Sequence, residues 1–250
     1  MSTIHSVHVP IYCSDATHKA GALLSLRTIR VGFPTLPITV HWVTPSELKF
    51  EEIGISINCC YDKVIQWGAP TTNDQIIKSL CTTEQKGFAV VDSDCVFFDN
   101  CEGFETTAQI AGEFIPAFDC PIAKARTVCR LHTAFLVLSD PPTLRKIISE
   151  LYKPAFPQFC PFDPFAPVTT FSHHRPIFYD SCAILYQAIG GDSFDVSMLD
   201  KFQHLYGGSY AHLLPFPHQK FIDECFETPS KAKGFRNTMN RFFSERKVSA

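Results

Sequence analysis

Two aspartates separated by one residue come directly after a strongly apolar stretch of this chain. The stretch Gly87–Val91 is rich in β-favouring residues and ends at Asp92 and Asp94, and apolar residues resume at Cys95. In an open α/β sheet, the carboxyl ends of buried strands form the edge at which ligands bind. Carboxylate oxygens suit Mg²⁺ or Mn²⁺, which are usually shared with the phosphates of a substrate. The sequence therefore predicts a divalent-cation site at Asp92 and Asp94.

The first hundred residues alternate between patterns typical of strands and of helices, which puts this motif at the end of a fourth strand. The strand-like segments are 4–13, 38–43, 61–67 and 88–91, and the helix-like segments include 18–31 and 73–80. This alternation predicts an α/β fold with a Rossmann-like, mostly parallel sheet and helices on both faces.

The second half of the chain is less regular. Residues 131–138 predict a further strand, and residues 142–152 and 180–189 predict helices. Between them, residues 154–176 contain six prolines and little periodicity, so we predict a long surface loop there. At 250 residues the chain is long enough for one large α/β domain.

Charge and hydropathy argue against several functional classes. The formal net charge of −3 argues against a general attraction to nucleic acid, although six lysines and arginines in the last twenty residues leave an anionic partner open. No run of 18 apolar residues occurs, so no transmembrane segment is predicted. The first nine residues lack a basic region followed by an apolar core, so we predict no signal peptide and a cytoplasmic location.

With these elements placed, the chain resembles the GT-A class of nucleotide-sugar glycosyltransferases. The segments that carry the resemblance are the DxD-like strand 90–97, the region from 9–15 onward and the strand and helix around 131–139 and 144–147. The resemblance covers roughly residues 4–215. It implies one GT-A-like domain over 1–250, with a nucleotide-binding half (1–100), a half that completes the acceptor and metal sites (101–220) and a basic tail (221–250).

The resemblance also implies ligands and the residues that bind them. The donor would be a nucleotide sugar, most commonly a UDP-sugar, with GDP not excluded, and the cofactor would be Mn²⁺ or Mg²⁺. Asp92 would contact the donor ribose or the metal, and Asp94 would ligate the metal. The residues implied in binding the donor nucleotide are Ile11, Tyr12, Asp15, Asp92, Ser93 and Gly207.

A third metal ligand is implied by a late His-x-x-Gly-x-x-Lys motif of retaining members of the class. His204 and Gly207 match its first part, whereas Tyr210 stands at the lysine position. His204 is therefore the candidate third ligand, since imidazole beside carboxylates suits Mn²⁺, and His212 is its competitor. The partial match leans toward retention of the anomeric configuration and leaves the inverting reaction open.

Asp180 and His132 are the candidate catalytic residues. An acidic residue at the place of Asp180 lies near the reacting sugar in the class, where it is the base of an inverting enzyme or stabilises the reacting carbon in a retaining one. A helix N-cap would explain Asp180 equally well. His132 stands where the class often has a polar residue facing the donor sugar, but a buried, hydrogen-bonded strand residue fits it as well.

Two other functions remain open. Haloacid-dehalogenase-type phosphatases also have an apolar strand that ends in Asp-x-Asp, and 191–195 vaguely resembles their late acidic motif. However, their motif normally opens the domain, whereas a β-α ladder precedes it here. The second alternative is a binding protein without catalytic activity on the same fold, which the tyrosine at position 210 would allow.

Overall fold

The computed structural model describes residues 2–12, 16–43, 60–68, 71–120, 123–151, 163–172, 175–205 and 218–235. Its strands are β1 (Ser2–Thr3), β2 (Ser6–Ile11), β3 (Ile38–Val43), β4 (Lys63–Trp67), β5 (Phe88–Val91), β6 (Cys95–Phe97), β7 (Glu105–Thr106), β8 (Ile110–Ile115), β9 (Asp119–Cys120), β10 (Ala125–Thr127), β11 (Arg130–Leu138), β12 (Val168–Ser172), β13 (Arg175–Tyr179), β14 (Asp192–Ser193) and β15 (Phe202–His204). Its helices are α1 (Ala16–Gly32), α2 (Asn73–Thr83), α3 (Pro141–Leu151), α4 (Ala183–Ile189), α5 (Val196–Leu199) and α6 (His218–Glu227), followed by a 3₁₀ helix (Pro229–Gly234).

The central sheet has seven strands in the order β14-β8-β11-β5-β2-β3-β4. β2, β3, β4 and β5 are parallel, β14 is parallel to β8, and β11 is antiparallel to both of its neighbours. The prediction of a mostly parallel sheet is therefore confirmed. Numbered along the chain, the four parallel strands lie in the order 3-2-1-4 (β4-β3-β2-β5), as in a nucleotide-binding half of a Rossmann-like sheet. From β2 the chain first continues towards β4 and then crosses to the other side of β2 to form β5, so the strand order reverses between β2 and β5. Ligands of such sheets bind at the carboxyl ends of the strands at this reversal.

Helices cover both faces of the central sheet, as the alternating sequence pattern predicted. Neighbouring residues of one strand point to opposite faces, so Val90 and Val91 of β5 belong to different core clusters. Val91 packs in one cluster with Leu26 of α1. Val90 packs in the other with Ile77 of α2 and Leu144 of α3. Burial on both faces explains why β5 is apolar throughout and why polar residues begin only where it ends.

A second, four-stranded sheet has the order β12-β13-β10-β9, and it corrects part of the sequence interpretation. The predicted loop over 154–176 contains all of β12 and the start of β13, which pair antiparallel from Val168 opposite Tyr179 to Ser172 opposite Arg175. The sequence of β12, Val-Thr-Thr-Phe-Ser, is favourable for a strand but lacks alternation, because β12 lies at the sheet edge and is largely exposed. The helix predicted from residue 180 begins only at Ala183.

A chain of polar side chains crosses β4, β3 and β2. Nε1 of Trp67 donates to Nδ1 of His41 at 2.8 Å, and Nε2 of His41 lies 3.0 Å from Nδ1 of His8. Because an indole nitrogen only donates, Nδ1 of His41 accepts, so its Nε2 carries the hydrogen and donates to His8. Nε2 of His8 then donates to Oγ of Ser6 at 3.1 Å. Both imidazoles are neutral, and mainly burial lowers the pKa of His8 to about 3 and that of His41 to about 4.

Gly87, directly before β5, has no room for a side chain. A Cβ at this position would lie 2.7 Å from the carbonyl oxygens of Thr3 and Ser139, which are backbone atoms. We therefore expect Gly87→Ala to lower the free energy of unfolding in urea by about 1–3 kcal/mol, the usual cost of overpacking. Gly103→Ala is the matched control, since no described atom lies within 4 Å of the Cβ that it would add. Equal effects of the two substitutions would contradict this explanation.

Candidate active site

The two aspartates lie where the chain leaves the central sheet. β5 ends at Val91, and β6 then leaves the sheet to pair with β15. The N–H of Asp92 still donates to the carbonyl of Ala134 on β11 at 2.8 Å, and the N–H of Cys95 donates to the carbonyl of Asp92 at 3.2 Å. This tight turn holds Asp92 and Asp94 at the carboxyl end of β5, beside the reversal of strand order.

His204 reaches Asp94 because β15 pairs antiparallel with β6. Their register places His204 opposite Cys95, and the N–H of Leu205 donates to the carbonyl of Asp94 at 2.9 Å. Nε2 of His204 lies 2.9 Å from Oδ1 of Asp94. Asp92, Asp94 and His204 each offer one ligand atom, and the three atoms lie within 4.8 Å of one another. We call these three residues the Asp-Asp-His cluster.

Electrostatic repulsion is strong within this cluster. Burial and the charge of Asp94 raise the pKa of Asp92 to about 7, although His204 and a hydrogen bond from Asn73 act in the opposite direction. Burial by itself would lower the pKa of His204, but Asp94, Asp92 and Glu113 outweigh it and the pKa is raised. A positive charge is therefore favourable beside the two carboxylates.

The donor set of the cluster fits a divalent cation. Two carboxylates and one imidazole are the mixed oxygen and nitrogen ligands that suit Mn²⁺, and the carboxylates also suit Mg²⁺. The side chains of Asp94 and His204 are 17% and 9% exposed. Both are largely buried, and each keeps a small accessible surface. Three protein ligands leave further coordination positions for water or for a substrate.

His132 adjoins the cluster through a wide irregularity in β11. Leu131 pairs with Phe114 and Leu136 pairs with Gly112. Between these two pairs β11 has four residues, 132–135, whereas β8 has only Glu113. Such bulges occur beside active sites, where they redirect side chains. The ring of His132 lies 4.9 Å from that of His204, centroid to centroid. The structure thus brings His132 to the cluster, together with the charge of Glu113, which the sequence analysis did not single out.

On the side of β2, Tyr12 and Asn73 adjoin Asp92. Nδ2 of Asn73, the first residue of α2, donates to Oδ1 of Asp92 at 2.9 Å. The hydroxyl of Tyr12 is buried without a hydrogen-bond partner among the described residues, and burial, Asp92 and Asp74 raise its pKa. Asn73 was missed as a site residue. Its only sequence signal was its place at a predicted helix start after a strand pattern.

Asp180 follows β13 directly and pairs with an arginine. Its Oδ2 accepts from Nη2 of Arg130 at 2.7 Å, and its Oδ1 accepts from the N–H of Ser181 at 2.9 Å. Asp180 also contributes to the raised pKa of Asp92, so its charge acts on the cluster. The N-cap interpretation of Asp180 is wrong, because the N-cap of α4 is Cys182, in a left-handed conformation with φ 60°. Arg130 carried no sequence signal.

The other residues predicted to bind the nucleotide differ in where the structure places them. Ser93 lies in the turn between Asp92 and Asp94. The side chain of Ile11 is fully buried in the core, so any contact of this residue with a ligand would involve its backbone. Asp15 and Gly207 lie outside the described residues, as do Tyr210, His212 and the basic residues from 236 onward.

No protein-family model matches this chain, and no curated protein matches it significantly. Glycosyltransferases are among the solved structures that match it. The apo form of the glycosyltransferase GlyE of Streptococcus pneumoniae TIGR4 has a TM-score of 0.47 at 11% identity, over 98% of this chain and 64% of its own. The galactosyltransferase LgtC, in complex with donor and acceptor sugar analogues, has a TM-score of 0.42 at 9% identity, over 76% and 73%.

A cytidylyltransferase from Leptospira borgpetersenii also matches, with a TM-score of 0.38 at 9% identity over 93% of this chain and 97% of its own. The chain spans 54% of a second GlyE structure. Among the described helices, none has the length and hydropathy required to cross a membrane.

Proposed function

We propose that this chain is a metal-dependent glycosyltransferase of the GT-A class, which moves a sugar from a nucleotide-sugar donor to a hydroxyl acceptor. The observation that carries the proposal is the convergence of the Asp-Asp-His cluster within 4.8 Å at the carboxyl edge of the sheet. This edge is also where the strand order reverses, which is the ligand-binding position of open α/β sheets.

In this proposal the residues of the site divide into those that hold the cation and those that bind the donor. Asp94 and His204 ligate Mn²⁺ or Mg²⁺, and Asp92 contacts the cation or the donor ribose. Tyr12, whose pKa Asp92 raises, and Ser93, which lies between the two aspartates, contact the nucleotide in this proposal. When bound, the cation supplies electrostatic stabilisation for the charge that develops on the departing diphosphate.

The transfer step breaks the bond between the anomeric carbon and the diphosphate oxygen, whose electron pair leaves with the nucleoside diphosphate. The acceptor oxygen forms the new bond to the anomeric carbon. Its proton passes to Asp180 in an inverting reaction or to the departing diphosphate in a retaining one. His132, beside His204, contacts the donor sugar. The partial His-x-x-Gly match favours retention, in which Asp180 stabilises the positive charge on the reacting carbon.

The described residues favour this function over the phosphatase. The late acidic residues that a phosphatase would need at the metal site serve structural roles here. Oδ1 of Asp195 accepts from the N–H of Met198 at 2.9 Å and caps α5, while Asp192 accepts from the hydroxyl of Thr106. Both aspartates are exposed, and neither belongs to the metal-binding group found among the described residues.

Thermal unfolding with UDP or GDP, each with and without Mn²⁺, tests the proposed function. A ligand at about 100 times its dissociation constant raises the unfolding free energy by about 2.7 kcal/mol, so saturating nucleotide should give a clear shift. We expect the larger shift with UDP and Mn²⁺ together. Release of UDP or GDP from a panel of nucleotide hexoses then separates an enzyme from a binding protein. No shift with either nucleotide would contradict the proposal, and phosphate release from a phosphomonoester would favour the phosphatase.

A further inference from the structure

Arg130 is a deeply buried charged side chain near the site. It opens β11, its side chain is only 5% exposed, and its described ionic partner is Asp180, whose side chain is 39% exposed. A buried guanidinium without a counter-charge is unfavourable, so the carboxylate of Asp180 stabilises Arg130 in its position.

The pair is not arranged for maximal stability. Arginine can bind a carboxylate with two parallel hydrogen bonds, but here only Nη2 reaches Asp180. Nη1 is buried without a hydrogen-bond partner among the described residues. Buried ion pairs often stabilise a fold no better than apolar residues of similar volume. The arrangement therefore indicates a role in fixing the geometry of Asp180.

Asp180 needs such a constraint, because the segment that carries it is short and strained. It lies between the five residues of β13 and a turn in which Cys182 has a positive φ of 60°. β13 belongs to the four-stranded sheet, whereas the Asp-Asp-His cluster lies at the edge of the central sheet. Arg130 belongs to β11, which pairs with β5 immediately before Asp92, so it ties Asp180 to the strands that position the cluster.

We propose that Arg130 is a positioning residue, which holds the carboxylate of Asp180 at the reacting end of the donor while Asp-Asp-His binds the cation. This inference rests on the proposed function and deepens it. Displacement of a reacting group by about 1 Å can lower a rate about 100-fold, so one rigid ion pair is enough to matter. Lysine is not equivalent at this position, because its ammonium ends a flexible stem, whereas the rigid planar guanidinium fixes the direction of the bond from Nη2.

The test is a double-mutant cycle on the full chain with Arg130→Lys, Asp180→Asn and the combination of both. The measured quantities are kcat and KM for Mn²⁺-dependent cleavage of the nucleotide hexose that the wild type cleaves fastest, and the thermal shift with the matching nucleotide and Mn²⁺. Arg126→Lys is the matched control, because this arginine is 57% exposed and pairs with an exposed aspartate, Asp119, at 3.4 Å.

We expect Arg130→Lys to lower kcat about 10–100-fold, with KM and the nucleotide shift nearly unchanged. Asp180→Asn should lower kcat about 100-fold or more, and adding Arg130→Lys to it should change kcat less than about twofold, since Arg130 acts through Asp180. Equal losses in both backgrounds, or a parallel loss of nucleotide binding, would overturn the inference. So would an Arg130→Lys chain that fails to fold, because the role would then be structural.

The same measurements on the wild type distinguish this failure from that of the proposed function. A wild type without Mn²⁺-dependent nucleotide binding or donor cleavage would refute the glycosyltransferase proposal and the positioning role together. A wild type that binds and cleaves the donor, with variants that fail the cycle, would refute only the role of Arg130.

Discussion

Asp94→Asn should abolish the Mn²⁺-dependent stabilisation by nucleotide and lower kcat/KM for donor cleavage at least about 100-fold. Asparagine keeps the size of the side chain but removes the charge that binds a hard cation and that lies 2.9 Å from His204. Substitutions outside the ligand shell already cost about 10–100-fold in metal affinity or activity, so a ligand should cost more. Thermal shift and donor-cleavage rates, each measured over a Mn²⁺ series, check this expectation.

Asp99→Asn provides the control for Asp94→Asn. Asp99 lies on the same segment, just after β6, and is exposed, with Oδ1 accepting from the N–H of Asn100 at 2.7 Å. The Asp99→Asn substitution makes the same chemical change five residues away, outside the cluster. It should therefore leave the Mn²⁺ dependence of the thermal shift and of donor cleavage unchanged. An Asp94→Asn chain that retains the full Mn²⁺-dependent shift would show that the cation does not bind at this cluster.

Acidification from pH 6.5 to pH 5 should lower the contribution that His8 and His41 make to stability. Burial lowers their pKa values to about 3 and about 4, whereas unfolded histidine has a pKa of about 6.5. Between these values the two histidines bind more protons in the unfolded chain than in the folded chain, up to a difference of two, so their contribution to stability falls as pH falls. Each whole proton of difference contributes about 1.4 kcal/mol per pH unit, so the slope from both histidines approaches at most roughly 3 kcal/mol per unit near pH 5. Urea unfolding at several pH values measures this slope.

Other charged groups modify the total slope, so a variant must isolate the histidines. Glu84 lies 3.8 Å from Nε2 of His8, and Lys63 contributes to the low pKa of His41. The raised pKa values of Asp92 and His204 act in the opposite direction, because there the folded chain binds protons more tightly.

His41→Gln isolates one of the two titrations. It keeps a side chain that can accept from Trp67 or donate to His8, and it should reduce the slope by about 1.4 kcal/mol per pH unit. His5→Gln is the control, because His5 is exposed and outside this network, and its slope should match that of the wild type. A slope that His41→Gln leaves unchanged would show that His41 is not held neutral in the folded chain.

Prediction of structure from the sequence was most accurate where the signal comes from neighbouring residues. The strand that carries Asp92 and Asp94 was predicted from an apolar run that stops abruptly, and β5 ends one residue before Asp92. It failed where a weak local pattern is decided by neighbours. β12 was interpreted as part of a loop, since an exposed edge strand shows no alternation and prolines surround it. Asp180 was given a possible capping role, although the residue at the cap is Cys182.

The residues that were missed have partners far away in the chain. Asn73 contacts Asp92 because α2 starts at the edge of the sheet where β5 ends. Arg130 contacts Asp180 because β11 and β13, which belong to different sheets, approach each other there. Glu113 becomes part of the site through the register shift between β8 and β11. No single-sequence pattern encodes these pairings, because each depends on how strands distant in sequence are aligned.

Local sequence patterns were sufficient to predict the α/β class, the strands β2 to β5 with α1 and α2 among them, and the two carboxylates at the end of β5. These follow from the period of apolar residues and from the abrupt end of a buried strand, which are properties of neighbouring residues. The tertiary structure decided that His204 completes the cluster, because β15 pairs with β6 in a register that places it beside Asp94. The tertiary structure also brings Asp180 to Arg130. A buried charge is unfavourable without a counter-charge, and the folded chain supplies one here from a distant strand.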